Sequence, residues 1–86
     1  MTKKMKHLNN YIDATIGGME RTFDTAKENG WSFVQFSNVI QNDHDLCLGA
    51  CLFAEIYEHS ITENERNLLM KKLSDAEHTL RLQFTR

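Results

Sequence analysis

Residues 46–57, LCLGACLFAEIY, are the stretch that decides how this chain folds. Glu55 is the only charged residue among them, so apolar groups would cover nearly the whole circumference of a helix here. We therefore expect a helix over about residues 44–59 that lies at the centre of the fold. Gly49 and Ala50 are small enough to predict a close contact with a neighbouring helix. If Phe53 is fully buried, its replacement by Ala should cost about 3–5 kcal/mol.

The residues before this stretch predict two helices. Thr2 is a candidate N-cap, and Asn29-Gly30 is a typical helix end. Ser32 and Gln35 have the spacing of a capping box, which predicts a short second helix. Between these ends, apolar residues recur at helical spacing in the first helix, namely Met5, Leu8, Ile12, Ile16, Met19, Phe23 and Ala26.

Two further signals set the remaining boundaries. The polar run of residues 41–45, QNDHD, interrupts the apolar pattern, and we expect Asn42 or Asp43 to cap the third helix there. Thr62 and Glu65 form another capping box, from which a last helix should run to near Arg86. Within the first helix, Gly17-Gly18 predicts a kink or a close backbone contact.

Composition agrees with this pattern. The 86 residues are 41% hydrophobic and contain no Pro, whose ring breaks helix interiors, and no segment alternates as a strand does. The sequence predicts a single all-helical domain over residues 1–86, in which four helices pack compactly and the first and last are long. Three other helices cannot cover an all-round apolar helix, so we also expect self-association into a homodimer or a higher oligomer.

Location and partner class follow from charge and cysteine content. There is no membrane span, and Cys47 and Cys51 are too few for the disulfide framework of a secreted protein, so we expect a cytoplasmic location. The net charge of −2 disfavours direct nucleic-acid binding, which needs a basic surface. The sequence therefore predicts that the partner is another protein.

No residue pattern predicts catalysis or a cofactor. A reactive thiolate needs an electropositive, partly exposed setting, whereas Cys47 and Cys51 lie in an apolar run near Asp43 and Asp45. We expect no metal; His44, Cys47 and Cys51 are the only candidate ligands, and a second pair of zinc ligands is missing.

Two functions are compatible with these observations. The first is a small non-enzymatic protein–protein interaction module that acts through a helical surface as a homo-oligomer; inhibitors, antitoxins, adaptors and phage-type antagonists all fit this description. The alternative is a helical oligomer that binds or sequesters a small anionic ligand such as a nucleotide. Its candidate residues are an aromatic platform and basic side chains, namely Tyr11, Trp31, Lys71, Lys72 and Arg81.

Overall fold

The computed structural model, which describes residues 2–86, consists of three helices. Helix α1 spans Lys3–Glu28, α2 spans Phe33–Leu52 and α3 spans Glu63–Phe84. The end of α2 continues into one π-helical turn, Phe53–Tyr57. No residue from 2 to 86 lies in a strand, which confirms the all-α class and the long first and last helices.

Three of the four predicted helix starts are confirmed by side-chain caps. The hydroxyl of Thr2 accepts a hydrogen bond from the backbone N–H of Met5 at 3.1 Å. Ser32 and Thr62 each form a complete capping box, the first with Gln35 and the second with Glu65. Each cap satisfies amides that a helix start leaves without an intrahelical acceptor, so these residues fix where the helices begin.

Consecutive helices run antiparallel, and each packs against the other two. Thr15 of α1 meets Cys47 of α2, and Lys4 at the start of α1 reaches Glu58 just beyond the π-helical turn. Apolar side chains from all three helices fill the space between them. The fully buried ones of largest volume are Ile12, Met19, Phe36, Ile40, Cys47, Cys51 and Leu73.

The prediction of four helices is wrong, because residues 41–45 do not end a helix. Asn, Asp and His cost only some tenths of a kcal/mol each in a helix interior, and the run contains neither Gly nor Pro. Two contacts help to hold these residues in the helix. Gln41 Nε2 donates to Asp45 Oδ1 one turn on, and His44 bonds to Glu77 of α3. The second and third predicted helices are therefore one helix, α2.

Residues 46–57 are also not at the centre of the fold, contrary to our expectation. With three helices rather than four, one side of this segment faces solvent, and Phe53 is 54% exposed. A Cβ added at Gly49 would meet nothing within 4 Å, so the expected close contact at Gly49 is absent within the chain.

Gly17-Gly18 neither interrupts α1 nor touches another backbone, since only the Arg21 side chain comes near.

The link from α2 to α3 is a tight turn. Glu58 N–H donates to the Phe53 carbonyl at 3.1 Å, and Ser60 N–H donates to the Ala54 carbonyl at 2.9 Å. His59 adopts a left-handed conformation with φ 53°, which reverses the chain after the π-helical turn.

No helix between residues 2 and 86 combines the length and the apolar character that crossing a membrane requires.

Candidate functional site

Four large apolar side chains lie exposed on the second half of α2 and its π-helical turn. They are more than half exposed, at 66% for Leu46, 54% for Phe53, 53% for Ile56 and 76% for Tyr57. The spacing of Leu46, Phe53 and Tyr57, seven and four residues, places them on one side of the helix, and Ile56 adjoins them. We call these four residues the α2 surface.

The α2 surface is exposed because α2 has neighbours on only two sides. Cys47, Cys51 and Ala54, on the opposite side of the same segment, are buried against α1 and α3. The Phe53 and Tyr57 rings stack on each other, with centroids 5.4 Å apart. Two stacked rings shield part of each other from water, but most of the Tyr57 side chain stays accessible.

A shallow groove between α1 and α2 borders the α2 surface. It has a volume of about 200 Å³ and is lined by Tyr11, Thr15, Gly18, Asp43 and Leu46. Burial raises the pKa of the Asp43 carboxyl, and the Glu77 carboxylate adds to the rise. Burial also raises the pKa of the Tyr11 phenol. This side of the surface therefore carries two polar groups, the Tyr11 hydroxyl and the Asp43 carboxyl.

The middle of the α2 surface is open. Gly49 lies between Leu46 and Phe53, is exposed, and has no atom of another helix near the position of a Cβ. A helix that presents a glycine between bulky apolar residues lets another backbone approach closely. The sequence correctly predicts the apolar character of this segment, but the close contact that we expected inside the chain is not there.

A separate polar cluster joins α2 to α3. Glu77 is only 3% exposed, and its Oε2 lies 2.6 Å from His44 Nδ1. Its other oxygen accepts a bond of 3.4 Å from Arg81 Nη1, and the Arg81 Nε donates to Ser37 Oγ at 3.2 Å. Both oxygens of the buried carboxylate therefore have a hydrogen-bond partner. The cluster lines an open groove of about 450 Å³.

Glu77 is not among the residues that we singled out from the sequence. A signal was present, because Glu77 is four residues after Leu73 and three before Leu80, both of which are buried. A carboxylate at a core position needs partners, and His44 and Arg81 are the side chains that α2 and α3 supply.

The candidate metal ligands do not converge. His44 turns toward α3, whereas the Cys47 thiol donates to Thr15 Oγ1 of α1 at 3.3 Å. Burial raises the pKa of both Cys47 and Cys51, which keeps these thiols protonated. Throughout residues 2–86, no three His, Cys, Asp or Glu side chains come together as a metal centre requires.

Comparisons with protein-family models, with curated proteins and with solved structures found no match.

The candidate ligand-binding residues are spread over the molecule. Tyr11 lines the α1–α2 groove, Arg81 lines the α2–α3 groove, and Trp31 packs against the core just after α1. Lys71 bonds Asp75 at 2.8 Å, and Lys72 pairs with Asp13 of α1. The structure therefore does not bring Tyr11 together with Arg81.

Proposed function

We propose that this protein is a small non-enzymatic protein–protein interaction module that binds its partner through the α2 surface and works as a homo-oligomer. The observation that carries the proposal is the exposure of Leu46, Phe53, Ile56 and Tyr57 on one side of one helix. The largest exposed apolar patch of a monomeric protein is often a functional surface. An inhibitor, an antitoxin, an adaptor or a phage-type antagonist would use such a surface.

A non-enzymatic role is supported by the state of the reactive groups. Cys47 and Cys51 are buried and their thiol pKa values are raised, which opposes nucleophilic attack. Glu77 is held by His44 and Arg81 inside the bundle, where it acts as a structural anchor between α2 and α3. A cytoplasmic location belongs to the same proposal, supported by two cysteines that remain unpaired.

The test compares the α2 surface with a matched position elsewhere on the same helix. Leu46→Lys places a charge on the surface, and Val34→Lys places the same charge at a residue that is equally exposed but near the start of α2. Wild type and both variants are immobilised and offered a lysate together with a differently tagged copy of the chain. We expect at least one protein to bind wild type and Val34→Lys but not Leu46→Lys. Equal binding to all three would contradict the proposal.

The alternative, a small anionic ligand, has weaker support. Arg81 lines the α2–α3 groove, but its guanidinium already donates to Ser37 and Glu77, and the carboxylates of Asp75 and Glu77 line the same groove. A nucleotide panel tests it directly, because a ligand that binds only the folded state raises the melting temperature. No shift with any nucleotide would remove this alternative.

A further inference from the structure

Within the α2 surface, Leu46 and Phe53 lie symmetrically about the midpoint between Gly49 and Ala50, whereas Ile56 and Tyr57 have no apolar counterpart on the other side of it. Leu46 lies three residues before Gly49, and Phe53 lies three residues after Ala50. If two α2 helices cross antiparallel at this midpoint, Leu46 of one copy faces Phe53 of the other, and the contact occurs twice. A twofold dimer needs such a self-complementary surface, since both subunits use the same residues.

The space at the crossing point also suits a second helix. Packed helices lie about 8–10 Å apart, and the shorter distances require small residues at the contact. Gly49 is exposed and open, so the second backbone could approach there without a clash. Leu46 and Phe53 would then flank the crossing on both sides.

The size of the surface is sufficient for the apolar centre of a dimer. With an aromatic side chain covering roughly 150–250 Å², four large side chains more than half exposed offer on the order of 400 Å². A standard interface buries about 800 Å² on each partner, of which the rim is polar. Tyr11 and Asp43 in the adjoining groove would supply part of that rim.

Charge disfavours a parallel arrangement. Asp43 and Asp45 lie next to Leu46, and parallel packing would set these acids against their own counterparts in the second copy. At the other end of the α2 surface the charges are already paired, since Lys4 bonds Glu58 at 3.0 Å and Arg66 pairs with Glu55. Antiparallel packing brings the two aspartates to this end of the second copy and keeps them away from each other.

We propose that a second copy of this chain occupies the α2 surface, with the two α2 helices antiparallel and crossing at Gly49. This inference rests on the proposed function and names the partner of the same surface. The dimer buries Leu46 and Phe53 of each copy against the other and removes the apolar area from water.

Two charge variants test the pairing. Leu46→Lys and Phe53→Glu each alter an exposed side chain, so both variants should keep the helicity of wild type. Alone, each should weaken dimerisation about tenfold or more, because two charges are buried against apolar side chains. In an equimolar mixture, the introduced lysine of one variant faces the introduced glutamate of the other, while the unchanged Leu46 and Phe53 form the remaining pair. A heterodimer should therefore form, and native mass spectrometry distinguishes it from the two homodimers.

A third variant tests the crossing point. Gly49→Leu has open space in the single chain and should keep or raise the melting temperature measured at high dilution. The longer side chain should separate the two helices and abolish the dimer. A fully dimeric Gly49→Leu protein would overturn the crossing at Gly49.

The results separate this inference from the proposed function. A wild-type dimer, together with a heterodimer in the equimolar mixture of the two charge variants, supports both the inference and the proposed function. A wild-type dimer without that heterodimer overturns the antiparallel pairing. A monomer that still captures a different protein through Leu46 overturns both the second copy as partner and the homo-oligomer, but leaves the interaction through the α2 surface standing. A monomer that captures nothing overturns both.

Discussion

Glu77 shows what a single buried charge does in a bundle this small. Its carboxylate accepts hydrogen bonds from His44 and Arg81 and so ties α2 to α3. Glu77→Ala leaves both partners without their acceptor, and we expect it to lower the free energy of unfolding by about 1–3 kcal/mol. Urea denaturation measures the loss. The matched control is Asp75→Ala, which breaks the exposed pair with Lys71 and should cost about 0.5 kcal/mol or less.

The two buried thiols predict a loss of stability at alkaline pH. Burial raises the pKa of Cys47 and Cys51, so the folded chain keeps thiol protons that the unfolded chain has already released. The free energy of unfolding should therefore fall as the pH rises above about 8.5, the ordinary thiol pKa. Urea titrations at increasing pH measure this fall. Replacing Cys51 by Ala removes one of the two groups and should flatten the curve; an unchanged slope would argue against the thiols as its cause.

At the scale of the helix, Asn42 distinguishes one continuous α2 from two shorter helices. If Asn42 were an N-cap, its replacement by Ala would lower the free energy of unfolding of the protein by about 0.5–2 kcal/mol. As an exposed interior residue, which the structure shows, Asn42→Ala should instead gain about 0.5 kcal/mol. The change in melting temperature shows whether Asn42→Ala stabilises or destabilises the protein. Asn38→Ala is the control. Because Asn38 is an exposed interior residue of a helix under either interpretation, this substitution should stabilise the protein in both cases.

The boundaries that the sequence predicts correctly are those set by local chemistry. The caps at Thr2, Ser32 and Thr62 act within a few residues, so their spacing is enough to identify them. The continuity of α2 depends on contacts with another helix, such as that of His44 with Glu77, which no local pattern shows. The π-helical turn has no signal of its own in the sequence either.

The same distinction applies to the candidate site. The apolar character of residues 46–57 is visible in the sequence, but whether a side chain is buried depends on how many helices surround it. With four helices expected, Phe53 belongs in the core; with three, it lies at the surface. Glu77 escapes prediction for the opposite reason, because a charged residue ordinarily faces solvent, whereas this one lies between the buried Leu73 and Leu80.

At the scale of the whole molecule, substitutions in the core and substitutions in the α2 surface should differ in their effect on the free energy of unfolding. Phe36 is fully buried and stacks on Phe84 at 4.6 Å, so Phe36→Ala should cost about 3–5 kcal/mol in unfolding free energy. Phe53 is half exposed, so Phe53→Ala should cost less than about 1.5 kcal/mol in the dilute single chain, well below the value expected for a core residue.

For dimerisation, we expect the opposite order, with the surface substitution having the larger effect. Phe53→Ala should weaken the dimer, since it removes an aromatic ring from the contact, whereas a core change should leave the dimer intact as long as the chain stays folded. Phe36→Ala risks unfolding the chain, so Ile40→Val serves as the milder core variant, with an expected cost of about 0.5–1.5 kcal/mol. Unfolding curves and native mass spectra of the same samples give both quantities. If Phe53→Ala destabilises the dilute chain as much as Phe36→Ala does, then Phe53 is a core residue and the α2 surface is not free to bind a partner.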